Sequence, residues 1–258
     1  MAADAHTTPF PCPCCGHRTF AQAPPNSWEI CPVCFWEDAP PGTHASDSSG
    51  VSLLEAQRNY ARLGACAARW TSEVRAPRPH ESKPDGWMSI DARRPIWSAK
   101  MRQQLESAFG QVRRDGGVSL HQSHILDEYG DATAMAQAAA LDPEAMWQDI
   151  PEDKLTRLDG AFPFFDAAGY RFYVPAYLRM HARYLAAGDA CVPGSGLWWY
   201  SLDGGDFYRN KHYALLDDTQ RAAIAAYLHG ISQLGAPDEA TDAASFLATY
   251  WAAFSRAD

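Results

Sequence analysis

Two short turns of the same form stand near the start of this 258-residue chain, Cys12-Pro13-Cys14-Cys15 and Cys31-Pro32-Val33-Cys34. A C-x-x-C turn sets two thiolates on one side of a tight loop. Two such loops facing each other make the tetrahedral sulfur cage that Zn²⁺ takes in closed structural sites. Fifteen residues separate the turns, at the short edge of the spacing that reads as a zinc site. The expected ligands are Cys12, Cys15, Cys31 and Cys34 around one structural zinc. Four sulfurs in a tetrahedron also suit iron, and the sequence does not separate the two metals. Cys14, lying between two ligands, is expected to point away from the metal as a spare thiol, with a redox role open to it although no cation nearby would lower its pKa. Cys66 and Cys191 read as ordinary buried thiols.

Further along, His121, His124, Asp127 and Glu128 are spaced three and four apart. On a helix they would share one face, as metal ligands or a proton-transfer pair require. Gln122 stands where a zinc hydrolase of the H-E-x-x-H type has its glutamate, and a solvated helix face explains the set equally well. A second group, Tyr173, Tyr177, Arg179 and Arg183, puts rings and guanidinium groups at an expected strand-to-helix junction, where a small anion would dock. Core aromatics with outward arginines are the alternative. Asp203-Gly204-Gly205-Asp206 reads as a turn, and no serine or cysteine sits in G-x-S-x-G or a comparable nucleophile signature.

The elements that must position these residues divide at the Pro-rich and charged stretch VRAPRPHESKPDG. This linker puts a small cysteine-rich domain at residues 1–84 and a second domain at 85–258, with the boundary near Lys83 to Gly86. In the first, Ser52 and Glu55 form a capping box for a helix that ends before Gly64 and shows an apolar face of Leu53, Ala56, Tyr60 and Leu63. The second domain reads as mainly helical with minor β. Helices are expected over Ala99 to Val112, from Ser119 to Gly130, and after Asp142-Pro143 and Pro151. Next come a turn at Asp166 to Gly169, a strand over Tyr170 to Val174 and a helix from Pro175 to near Gly188. Helices over Asp218 to Leu234 and Glu239 to Phe254, capped by Asp217 and Asp238, close the chain. The aromatic-rich segments GWMSIDARRPIW and LWWYSLDGGDFYRNKHY are expected to anchor the core. The fold class is thus a small zinc-ribbon or rubredoxin-like domain followed by a mainly α-helical one.

Composition bounds the function. With 47% hydrophobic and 21% charged residues, the chain has enough apolar surface for a sizeable core. Its first residues lack the basic start and apolar run of a signal peptide, and no segment reaches the roughly 18 apolar residues of a membrane span. The expected location is the cytoplasm, without membrane contact. The net charge is −9, and the acid is concentrated late: Lys plus Arg against Asp plus Glu is 7 against 9 over residues 1–86 and 15 against 22 over residues 87–258. Nucleic-acid binding needs clustered basic residues, which makes a nucleic-acid-binding ribbon the least favoured reading.

The strings PCPCCGHRTF, SWEICPVCFWED, GVSLLEAQRNYARLGAC and VRAPRPHE resemble the bacterial cysteine-rich CPCC family over about Thr8 to Glu81. The resemblance implies a metal-binding ribbon with Cys12, Cys15, Cys31 and Cys34 as ligands and Cys14 as the family's additional cysteine, and it implies no reaction. More loosely, Gly117-Val118-Ser119-Leu120-His121, Leu126-Asp127-Glu128-Tyr129-Gly130, Trp147-Gln148-Asp149-Ile150 and Arg171-Phe172-Tyr173-Val174-Pro175-Ala176-Tyr177 resemble a bacterial domain family of unknown function over about Ala92 to Leu234. The leading expectation is a zinc-binding cytoplasmic protein that acts as a non-catalytic protein-interaction module, its concrete form being neutralisation of a basic, toxin-like protein partner. The alternative is a metal-dependent hydrolase or an enzyme modifying a small anion, using the second domain.

Overall fold

The computed structural model describes residues 10–40, 50–188 and 196–255, and the chain divides into two compact units, Met1–Arg93 and Arg94–Asp258. Cys191 lies outside the described residues.

Strands β1 (Phe10–Pro11) and β2 (Arg18–Phe20) pair antiparallel, with Phe10 opposite Phe20, and Ile30 bridges Glu37. Helix α1 (Leu53–Leu63) starts where expected: Ser52 Oγ accepts the Glu55 N–H, and Gly64, at φ 75°, donates its N–H to Tyr60 O. Ala56 is wholly buried, with Leu53 and Tyr60 packed against the same cluster, which also takes in Phe20, Val33, Trp36 and the cysteines. Leu63 is 44% exposed, so the apolar stripe ends one turn earlier than its spacing implies. Buried Gln57 donates Nε2 to Pro13 O at 2.8 Å and accepts the Ile90 N–H at 2.7 Å. That side chain ties α1 to the first cysteine turn. Arg75 grips Glu81 with two nitrogens, at 2.7 and 2.6 Å.

Helix α2 (Ile90–Phe109) begins nine residues before the expected Ala99 and contains Pro95 in its second turn, at the cost of one main-chain bond. Then come α3 (Leu120–Asp127), α4 (Ala132–Ala140), α5 (Glu152–Arg157) and α6 (Ala167–Ala187). After these follow α7 (Leu197–Tyr200), α8 (Asp206–Lys211), α9 (Asp218–Leu234) and α10 (Pro237–Thr249).

The expected strand over Tyr170 to Val174 does not form. Those residues lie inside α6, which Asp166 caps by accepting the Gly169 N–H, and Pro175 is in its interior. Aromatic and β-branched residues favour strands because they suit a half-buried pleated surface. Here Tyr170, Phe172, Tyr173, Val174, Tyr177 and Leu178 are all at most 1% exposed, and a helix buried on all sides takes the same residues. The second unit accordingly has no strand among its described residues. At α10 the expected Asp238 cap is replaced by Pro237 in the first turn and by Glu239, whose carboxylate accepts the Ala236 N–H. The helix stops at Thr249 and gives way to a 3₁₀ turn, Trp251–Phe254.

Of the two aromatic-rich segments, Trp198, Trp199 and Tyr213 are buried, whereas Tyr200 and Phe207 are exposed. Within the core, His181 joins three helices: its Nδ1 hydrogen-bonds the Tyr227 hydroxyl on α9, and its Nε2 lies 3.2 Å from Glu239 Oε1 on α10. No described helix is long and apolar enough to cross a membrane.

Candidate metal centre

The two cysteine turns close by the same main-chain bonds. Gly16 donates to Cys12 O at 2.9 Å and Phe35 to Cys31 O at 2.8 Å, while Cys12 donates to His17 O and Cys31 to Trp36 O. The residue after each second cysteine has positive φ, 79° at Gly16 and 65° at Phe35. Glycine takes that conformation freely. Phe35 is held in it with its ring stacked on Trp70, the centroids 4.5 Å apart. Gly16 is fixed for a second reason, since a Cβ there would fall 2.5 Å from the Trp87 ring.

These turns bring four sulfurs together. Cys12 Sγ lies 3.7 Å from Cys34 Sγ, Cys15 Sγ 3.6 Å from Cys31 Sγ, and all four are within 4.8 Å of one another. Thiolates ~2.3 Å from a central zinc stand about 3.8 Å apart at the corners of a tetrahedron. All four cysteines are 0% exposed. The set therefore has the donor chemistry, number and spacing of a closed tetrahedral metal centre. Burial pushes the Cys12 thiol up, Cys12 beside Cys34 pushes that thiol up, and hydrogen bonding from Cys12 holds Cys31 down. A divalent cation held by Cys12, Cys15, Cys31 and Cys34 would remove this opposition between buried thiols by favouring the thiolate form of all four.

Outside the tetrahedron, Thr19 Oγ1 lies 3.2 Å from Cys31 Sγ, and the Cys66 main-chain N–H donates to Cys34 O at 2.6 Å. Burial, together with the neighbouring cysteine sulfurs, pushes Tyr60 up to about 12. Cys66 is a buried thiol that donates to Phe35 O at 3.2 Å, and burial pushes it up to about 12. Cys14 is 1% exposed and outside the converging set.

In the second unit the sequence-selected residues are arranged differently. His121 Nδ1 is 2.9 Å from Asp142 Oδ1, and the His121 main-chain N–H donates to Asp142 Oδ2 at 2.9 Å. Among the described residues His124 Nε2 is buried without a partner, while Asp127 and Glu128 are exposed, Glu128 just past the end of α3. Among the described residues, the only three or more His, Cys, Asp or Glu side chains whose ligating atoms converge are the four cysteines. Of the other group, Tyr177 donates to Leu155 O at 2.9 Å, Arg179 lies over the Trp147 ring and donates to Gln148 O, and Arg183 pairs with Glu152. Burial holds Arg179 below the usual arginine range and pushes Tyr173 up to about 12.

Arg114 links the two groups, donating to Tyr173 Oη at 3.2 Å and to Asp142 O at 3.0 Å. Asp142 is the residue that sequence reasoning misses. Its Asp-Pro-Glu setting reads as a helix start, yet no α-helix begins there, only a 3₁₀ turn from Trp147, and its carboxylate turns back 21 residues to His121. Lys154 also reaches it, 3.2 Å from Oδ1, and the side chain is wholly buried. Burial alone would raise this carboxyl, but hydrogen bonds from Ser119 and His121 outweigh it and hold Asp142 below its ordinary value.

The chain thus pairs a small unit carrying a four-cysteine cluster that could hold a metal ion with a helical unit. Residues 98–255 match a family of unknown function, DUF6714, and the chain belongs to that family. Residues 10–81 match the cysteine-rich CPCC family. No curated protein and no solved structure matches the chain.

Proposed function

We propose that this chain binds one structural zinc in a ribbon-type first unit and acts by holding a basic protein partner, neutralisation of a toxin-like effector being the concrete form. The observation behind the metal reading is the set of four buried sulfurs, all within 4.8 Å of one another. Such an all-sulfur set leaves no open position for a substrate, which suits a structural role. The partner reading is supported by the net charge of −9. It is supported locally by Asp127, Glu128 and Asp131, which are exposed around Tyr129, itself 95% exposed, and form no ion pair among the described residues. Complementary charge speeds association with a basic surface and disfavours nucleic acid.

Native mass spectrometry of the tagged chain, purified gently from its source cells, tests both parts. One zinc and one discrete basic protein per chain is the expected result. Iron in the spectrum overturns the metal assignment. A chain that carries its metal but retains no basic protein at low salt overturns the partner reading.

A further inference from the structure

We propose that His121 and Asp142 form a general-base pair that hydrolyses small carboxylic esters, with Arg114 facing the acyl oxygen. This goes beyond the binding role and does not depend on it. A carboxylate that served only to cap α3 would need no more than the His121 main-chain N–H, which Oδ2 takes at 2.9 Å. Its other oxygen, which Lys154 Nζ also reaches at 3.2 Å, lies 2.9 Å from the ring nitrogen Nδ1 of the same residue. With Nδ1–H donated to the carboxylate, the lone pair of the neutral imidazole is on Nε2. Among the described residues Nε2 has no hydrogen-bond partner, and the side chain is 28% exposed. The imidazole is thereby held in one tautomer with its basic atom towards solvent.

Arg114 is fixed beside the pair by Tyr173 Oη and Asp142 O, and these two bonds leave other guanidinium donors unused. Three positions follow: a base at His121 Nε2, a positioning carboxylate at Asp142, and a cation at Arg114 for developing negative charge. Nε2 takes a proton from water as the water oxygen bonds to the acyl carbon, and the carbonyl electron pair moves to the oxygen facing Arg114. The carbonyl then re-forms, the bond to the alcohol oxygen breaks, and the leaving alkoxide takes the proton from Nε2. The net change is ester plus water to acid plus alcohol.

The probe is p-nitrophenyl acetate with the full-length, metal-loaded chain. The expected rate exceeds that of free imidazole at equal concentration by about 10²-fold. His121→Gln should bring the rate down to that of free imidazole, while His229→Gln, at an exposed histidine of α9, should leave it unchanged. Asp142→Asn should lower kcat while leaving KM unchanged, a split that loss of packing alone would not give. Should that variant not fold, His121→Gln decides. A wild-type rate no greater than free imidazole, or an unchanged rate in His121→Gln, overturns the proposal.

Discussion

At the scale of single residues, the four-cysteine cluster rests on sulfurs whose positions are set by local turns, and for that reason it is legible in the sequence. The spacing within C-x-x-C fixes which thiols can meet, and Cys12, Cys15, Cys31 and Cys34 are the four that do. Cys34→Ser should therefore take the metal content from one ion per chain to none and cost the first unit its fold, since structural zinc supplies of order 10 kcal/mol to small domains. Cys14→Ser should keep one ion. Elemental analysis with intact mass on both variants checks the pair. Asp142 and Arg114 are not legible in the same way. Their partners lie far along the chain, Asp142 21 residues from His121 and Arg114 59 from Tyr173. No local period signals a bond that only the folded chain creates.

At the scale of elements, caps read well and strand propensity reads poorly. The Ser52, Ser119 and Asp217 starts and the Asp218–Leu234 span appear as the residue types imply, because a cap is a bond between residues three apart. Tyr170 to Val174 mislead because their preference reports burial, and α6 buries them as a helix. Helix packing leaves its own mark at Gly230 in α9: a Cβ there would fall 1.9 Å from Trp97 Nε1 on α2, and the Trp97 ring in turn touches Tyr227. Gly230→Ala forces that indole out of place. It should destabilise the second unit by about 1–3 kcal/mol, read as a lower denaturation midpoint at unchanged slope. An unaltered midpoint would mean that Trp97 moves at no cost.

At the scale of the whole molecule, acid should undo both units. Arg75 holds Glu81 down at about 2 in the first. In the second, burial works against ionisation of Asp142 and Glu239, yet hydrogen bonds from Ser119 and His121 to the one and from His181 to the other hold both below their ordinary values. A carboxyl whose folded pKa lies below its unfolded one contributes stability that is complete above the unfolded value, about 4. That contribution is lost as pH falls towards the folded value. Thiolate ligands protonate in the same direction and release metal. Burial also holds His212 down to about 4, so the melting temperature should begin to fall as pH drops through about 6.5 and fall steeply below about 4. A scan at several pH values, with metal release followed by a chromogenic chelator, separates the two contributions. Constant melting down to pH 3 would show that these carboxylates hold nothing.

The closed surroundings of the four sulfurs also set a clock. No sulfur reaches solvent, and Phe20, Val33, Trp36 and Ala56 wall the cluster. A chelator outside cannot form a ternary complex with a metal it cannot touch. Exchange should wait for the unit to open, so that the release rate levels off as chelator is added and its ceiling reports the opening rate of the first unit. A rate that climbs in proportion to chelator at every concentration would instead mean direct attack on an accessible ion. With the ceiling reached, a metal bound once is kept for the lifetime of the closed state, whatever the free concentration around it.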